Sequence, residues 1–196
     1  MAKWNKMVPV SIFIIAALVF FFFISGYRFT ALNAAKANSE VTKDYQLVDQ
    51  YKMDSSAVFL FKSDSDEMYR TVLSDTSGLL HRSNSSTYIP YRNESLVTVG
   101  GMSVSDDDQD PFTFLSVKSN DAHIDYIIAG SGTNRVRKEI KKGERIFFLF
   151  PFSKQIDKLN ARAFSDKGKK IYYYGYPKNT SAFIDDDLKW HKVNDS

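Results

Sequence analysis

The run Met7 to Ile24, MVPVSIFIIAALVFFFFI, is eighteen residues long, carries no charge and has Ser11 as its one polar side chain. A helix made of it is apolar on every side, so it has no stable place at a water-exposed surface and must be buried in a large core or in lipid. At 1.5 Å rise per residue it extends about 27 Å, close to the ~30 Å hydrocarbon thickness of a bilayer. Trp4 and Tyr27 flank the run, and Lys3, Lys6 and Arg28 lie within reach of the headgroups, the zone that aromatic rings and basic side chains favour. Pro9 falls in the first turn, where its missing N–H costs least. The run predicts a transmembrane helix over residues 7–27 behind a cytoplasmic tail of residues 1–6.

A cleaved secretory leader is the competing interpretation, since Lys3 and Lys6 form a basic start. The apolar run exceeds the usual leader core, however, and Ala35-Lys36-Ala37, the one A-x-A-like site, lies well past Ile24. An uncleaved signal-anchor is therefore expected. Lys3, Lys6 and the α-amino group on one side against Arg28 and Lys36 on the other favour a cytoplasmic N-terminus. That orientation predicts a single-pass protein of the cell membrane with an extracytoplasmic C-terminal domain.

Beyond the anchor remain roughly 170 residues, enough for one ordinary core or two small β domains. The chain has no cysteine, which excludes disulfides, thiol catalysis and Cys-ligated metal. Residues 28–44 include the Ala-rich TALNAAKANSEVTK, expected as a juxtamembrane stalk continuing the helix. Residues 45–178 read as strands at about ten-residue spacing with no long amphipathic helix between them, which predicts an antiparallel β-sandwich. A subdivision into two small β subdomains falls near 118–121, and 179–196 reads as a tail.

Individual strands have distinct signatures. Ala57 to Lys62 alternates Ala57, Phe59 and Phe61 against Val58, Leu60 and Lys62, with Ser63 to Glu67 as a turn. Gly78–Arg82, Thr87–Arg92 and Ser95–Val99 read as short strands, Gly100-Gly101 as a bulge, and Pro111 as the opening of Phe112–Val117. In His123–Ala129 the residues Ile124, Tyr126 and Ile128 share a face. Glu144 to Phe150 is mostly apolar, and Leu159, Ala161 and Ala163 alternate with Asn160 and Arg162 before the turn Asp166-Lys167-Gly168 and the return Ile171–Tyr174. Phe59, Ile128, Phe148 and Ala161 are expected core positions.

The hairpin Ala161–Tyr172, with Tyr126-Ile-Ile-Ala-Gly130 and Arg145-Ile-Phe-Phe148 upstream, resembles the closing half of Ig-like modules in small single-pass envelope proteins of Gram-positive bacteria. The resemblance covers roughly residues 55–176 and rests on strand and turn pattern. It implies an extracytoplasmic Ig-like sandwich and brings no catalytic residue.

Catalytic and metal motifs are incomplete. Gly101-Met-Ser103-Val-Ser105 lacks the closing glycine of a nucleophile elbow, and Gly130-Ser-Gly132 has Arg135 where a dinucleotide fingerprint needs glycine. His81, His123 and His191 have no ligand spacing. Asp106, Asp108 and Asp110 are spaced like a calcium loop, but Pro111 and Val117 replace its glycine and glutamate. A solvated loop is the favoured reading, with a weak surface Ca²⁺ site at these residues or at Asp185, Asp186 and Asp187 as its minority alternative. No cofactor and no enzymatic activity are expected.

Charge is strongly uneven. Residues 45–110 hold 5 Lys/Arg and 11 Asp/Glu, net −6, whereas residues 134–178 hold 13 and 4, net +9. Six of those positive charges lie in Arg135–Arg145, and Lys167, Lys169 and Lys170 follow in the last hairpin. Charged edge strands that discourage edge pairing account for such a strip. Its functional alternative is a contact surface of Arg135, Arg137, Lys138, Lys141, Lys142, Lys169 and Lys170 for an anionic envelope polymer, lipid headgroups or an acidic protein. Nucleic acid is not an expected partner. The favoured function is a membrane-anchored binding or interaction module, followed by a regulatory or sensory partner of another membrane protein and then by an envelope hydrolase.

Overall fold

A computed structural model describes residues 7–106, 109–178 and 184–193. The tail residues Lys3, Trp4 and Lys6, and also Asp108, lie outside the described residues. The molecule is mainly β, with twelve strands in three antiparallel sheets among the described residues. The strands are β1 (Gln46–Lys52), β2 (Ser56–Ser63), β3 (Met68–Ser77), β4 (Leu80–Pro90), β5 (Leu96–Asp106), β6 (Gln109–Ser119), β7 (Tyr126–Ser131), β8 (Asn134–Glu139), β9 (Arg145–Phe150), β10 (Arg162–Phe164), β11 (Lys170–Gly175) and β12 (Lys189–Lys192). The sheet orders are β1-β2-β3-β4, β5-β6-β9 and β12-β11-β10-β7-β8.

Two helices precede them, α1 (Met7–Ile24) and α2 (Ala31–Lys36). Taken over the described residues, no helix is long and apolar enough to cross a membrane. Met7–Pro9, Ile15, Leu18, Val19 and Phe21–Phe23 of α1 have side chains outside that set. The described apolar side chains of α1, among them Ile12, Phe13, Ile14, Phe20 and Ile24, are all exposed.

The chain forms two compact units, one of Met1–Ser65 with Thr71–Ser86 and one of Asp66–Arg70 with Thr87–Ser196. In the first unit, residues 28–44 differ from the expected stalk. Gly26 takes a left-handed φ of 75° just past α1, and Arg28 bridges to His81 through paired backbone hydrogen bonds of 2.8 and 2.7 Å. Thr30 then caps α2, its Oγ1 accepting from the Asn33 N–H at 3.2 Å. The small side chains Ala34 and Ala35 are fully buried, which allows α2 to pack closely on β2. The alternation expected in β2 is not seen as one wet and one dry face: Ala57 through Phe61 are all buried, as suits an inner strand.

The second unit packs β5-β6-β9 against the five-stranded sheet. One core joins Leu96, Leu115, Val117, Phe148 and Phe150 from the first of these sheets to Ile127, Ala129, Ala163, Tyr172 and Tyr174 from the second. Gly100 and Gly101 mark a register shift in β5, and a Cβ on Gly101 would meet Ile156 Cδ1 at 2.8 Å, so the 3-10 turn Ile156–Leu159 sits directly against this backbone. Pro111 lies inside β6 rather than at its start. The stretch expected as a tail contributes β12, and Trp190 is buried with its Nε1–H donating to Thr98 Oγ1 at 3.0 Å.

Candidate functional site

The five-stranded sheet turns one face to the core, and its other face carries basic and aromatic side chains. Antiparallel partners share a face, so the register fixes which residues meet there. Ile128 of β7 pairs with Arg137 of β8 and with Arg162 of β10, Arg162 pairs with Tyr173 of β11, and Tyr173 pairs with His191 of β12. This makes one row across the sheet, His191–Tyr173–Arg162–Ile128–Arg137. The adjoining row runs Lys170–Phe164–Tyr126–Glu139.

Rings and cations interleave on this face. The Arg137 guanidinium lies 3.6 Å over the Tyr126 ring, and Tyr126 stacks on Phe164 at 5.0 Å. Lys178 lies 4.8 Å over Tyr173, which stacks on His191 at 5.2 Å. His191 is held from below, its Nε2–H donating to the carbonyls of Gly175 and Asp187 at 2.9 and 3.0 Å. Asp125 and Glu139 stand 3.9 and 3.8 Å from Arg137, longer than a hydrogen bond and largely exposed, so they offset its charge only weakly.

The predicted basic residues distribute unequally. Arg135 and Arg137 lie two apart on edge strand β8 and share the outer face, and Lys170 joins it at the paired position opposite Phe164. Lys169 lies at the margin, exposed in the β10–β11 hairpin. Lys141 and Lys142 sit beyond the end of β8 in the turn to β9, which Gly143 makes with a φ of 85° and the Glu144 carboxylate closes by accepting the Lys141 N–H at 2.9 Å.

Lys138 is the exception. Its partner across the strands is the buried Ile127, so it points to the inner side, where its Nζ lies 4.2 Å over Phe147. Partial burial pushes its pKa below the usual lysine value. It therefore lies on the opposite side of β8 from Arg135 and Arg137, at the edge of the core.

Arg162, Tyr126, Phe164 and Tyr173 do not stand out in the sequence as site residues. They join the surface through strand pairing between distant segments, and no local spacing announces that.

Other chemical candidates resolve into structural roles. Ser103 lies on β5 with its Oγ 2.9 Å from Ser153 Oγ. His123 pairs with Asp121 at 2.8 Å, and Tyr172 donates to the same carboxylate at 3.2 Å. Burial of Asp121 works against its charge, but these bonds and the His123 backbone N–H outweigh it and hold the carboxyl below its ordinary pKa. Among the described residues no three His, Asp or Glu side chains gather where they could hold a metal ion. Compared with protein-family models, curated proteins and solved structures, the chain matches none.

Proposed function

We propose that this protein is a membrane-anchored, non-enzymatic binding module of the cell envelope, which uses the outer face of its five-stranded sheet to hold phosphate-bearing anionic polymer or headgroups. The observation that carries this reading is the row of Arg162, Ile128 and Arg137 flanked by Tyr173, with Arg135 and Lys170 beside it. Guanidinium groups match phosphate oxygens bidentately, and the Tyr126 ring lies against that of Arg137.

The strand order supports an Ig-like sandwich. Within the second unit β5, β6 and β9 stand as strands A, B and E of one sheet, and β8, β7, β10 and β11 stand as C′, C, F and G of the other, with β12 added at the G edge.

Membrane attachment rests on α1 and on the residues directly after it. Only Ser25, Gly26 and Tyr27 separate α1 from Arg28, whose backbone pairs with His81. The β3–β4 hairpin residue Leu79 is 95% exposed and Phe29 is 76% exposed, both close in sequence to that bridge. Arg82 adds a guanidinium 5.5 Å over the Tyr27 ring. Tyr27, Arg28 and exposed Phe29 directly after an apolar helix, with Leu79 and Arg82 brought beside them by the Arg28–His81 bridge, suit the headgroup layer, so the first unit would rest on the bilayer without a spacer.

Fractionation of cells tests the anchor. The full-length chain is expected in the membrane pellet and should stay there after an alkaline wash. A soluble form beginning near Asn38 in the medium would contradict it.

A further inference from the structure

A cavity of about 300 Å³ opens in the second unit where the end of β4, β5, the 3-10 turn and β12 converge. At ~30 Å³ per water molecule its volume equals about ten waters. Tyr88 and Tyr176 line it with aromatic side chains, and Arg92, Glu94, Asp186 and Lys189 line it with charges.

The charges alternate. Arg92 stands 3.5 Å from Asp186 and 3.9 Å from Glu94, and Lys189 stands 3.8 Å from the same Glu94 oxygen. All three separations exceed hydrogen-bond length, so the pairs cancel in charge without consuming the donors and acceptors. The second carboxylate oxygen of Glu94 is buried and accepts no hydrogen bond among the described residues. Leaving a buried carboxylate oxygen without a hydrogen bond is costly, so Glu94 is a strained member of this charge cluster.

We infer that this cavity is a binding site for a neutral oligosaccharide. Two cations and two anions in alternation give no net field for an anion, and they are not segregated as a zwitterion would require. A sugar hydroxyl is both donor and acceptor, which matches alternating partners, and the apolar face of a pyranose ring matches a tyrosine face. More than one ring is indicated because a second groove, of about 470 Å³, shares Tyr88, Ile89, Ile156, Tyr176 and Leu188 with the cavity. The two tyrosines thus stand between adjoining subsites. The site is separate from the basic sheet face and does not depend on it.

Trp190 provides the reporter, since its indole N–H is bonded to Thr98, which lines the cavity. The chain has two tryptophans, so Trp4→Phe leaves Trp190 as the sole emitter. The full chain carrying that change, in phosphatidylcholine nanodiscs, is titrated with chitotetraose and with maltotetraose. The inference predicts a saturable change in emission with at least one of them, unaltered at high salt and weakened about tenfold or more by Glu94→Gln and by Tyr88→Ala. Tyr88 is 63% exposed, so its substitution tests the site with the fold intact. No saturable response to either sugar, or a response that survives both substitutions, overturns the inference. A response abolished by salt overturns it too, because it would belong to a charged surface.

Discussion

Arg137 and Lys138 are neighbours in the chain and opposite in role. Pairing with Ile128 sends Arg137 outward over Tyr126, and pairing with Ile127 sends Lys138 inward over Phe147. In the sequence both are members of one basic strip, and charge alone cannot distinguish them; the phase of β7 does. Lys138→Met keeps the apolar stem over Phe147 and removes an ammonium that burial disfavours. Stability in a urea titration is expected to stay within about 1 kcal/mol or to rise, with polyanion binding unchanged within about twofold. A loss of binding beyond about tenfold would place Lys138 back among the contact residues.

At the scale of elements, strands with one apolar phase were legible and those with two were not. Leu159, Ala161 and Ala163 are buried as the alternation predicts, but the strand covers Arg162–Phe164 alone, because Leu159 ends a 3-10 turn and Asn160 takes a left-handed φ of 49°. In β7 the adjacent Ile127 and Ile128 fit a period of two in either phase. The structure buries Ile127 completely and leaves Ile128, the expected core residue, half-buried on the outer face beside Arg137 and Arg162. This phase puts Ile127 and Ala129 in the core and Tyr126 on the outer side, stacked on Phe164, contacts between segments far apart in sequence. Ile127→Ala should therefore cost about 2–5 kcal/mol and Ile128→Ala less than half as much, with Phe148→Ala at about 3–5 kcal/mol as the reference for a filled core site. Equal costs at 127 and 128 by chemical denaturation would contradict the assigned phase. Residues 28–44 and β12 were illegible for a related reason: short segments of ordinary composition are ordered by their partners, His81 for the one and β11 for the other.

For the whole molecule, an apolar helix leads with almost no spacer into a β unit, and a second β unit carries the basic face. The uneven charge of the sequence, net +9 over residues 134–178, points to strands of that face, and strand pairing adds Arg162 to it. Under the proposed function this face makes electrostatic contact with phosphate, and exposed charges interact over only about 8–10 Å at physiological salt. The most direct test is the binding of long-chain polyphosphate to the full chain in phosphatidylcholine nanodiscs, measured across a range of salt for the wild type and for Arg137→Glu with Arg162→Glu. Each basic residue near an anionic surface contributes on the order of 1 kcal/mol, so the double reversal is expected to weaken binding well over tenfold at low salt, while the wild-type affinity falls steeply as salt rises. A wild type that does not bind even at low salt, or a folded double variant that binds as tightly as the wild type, would contradict the account.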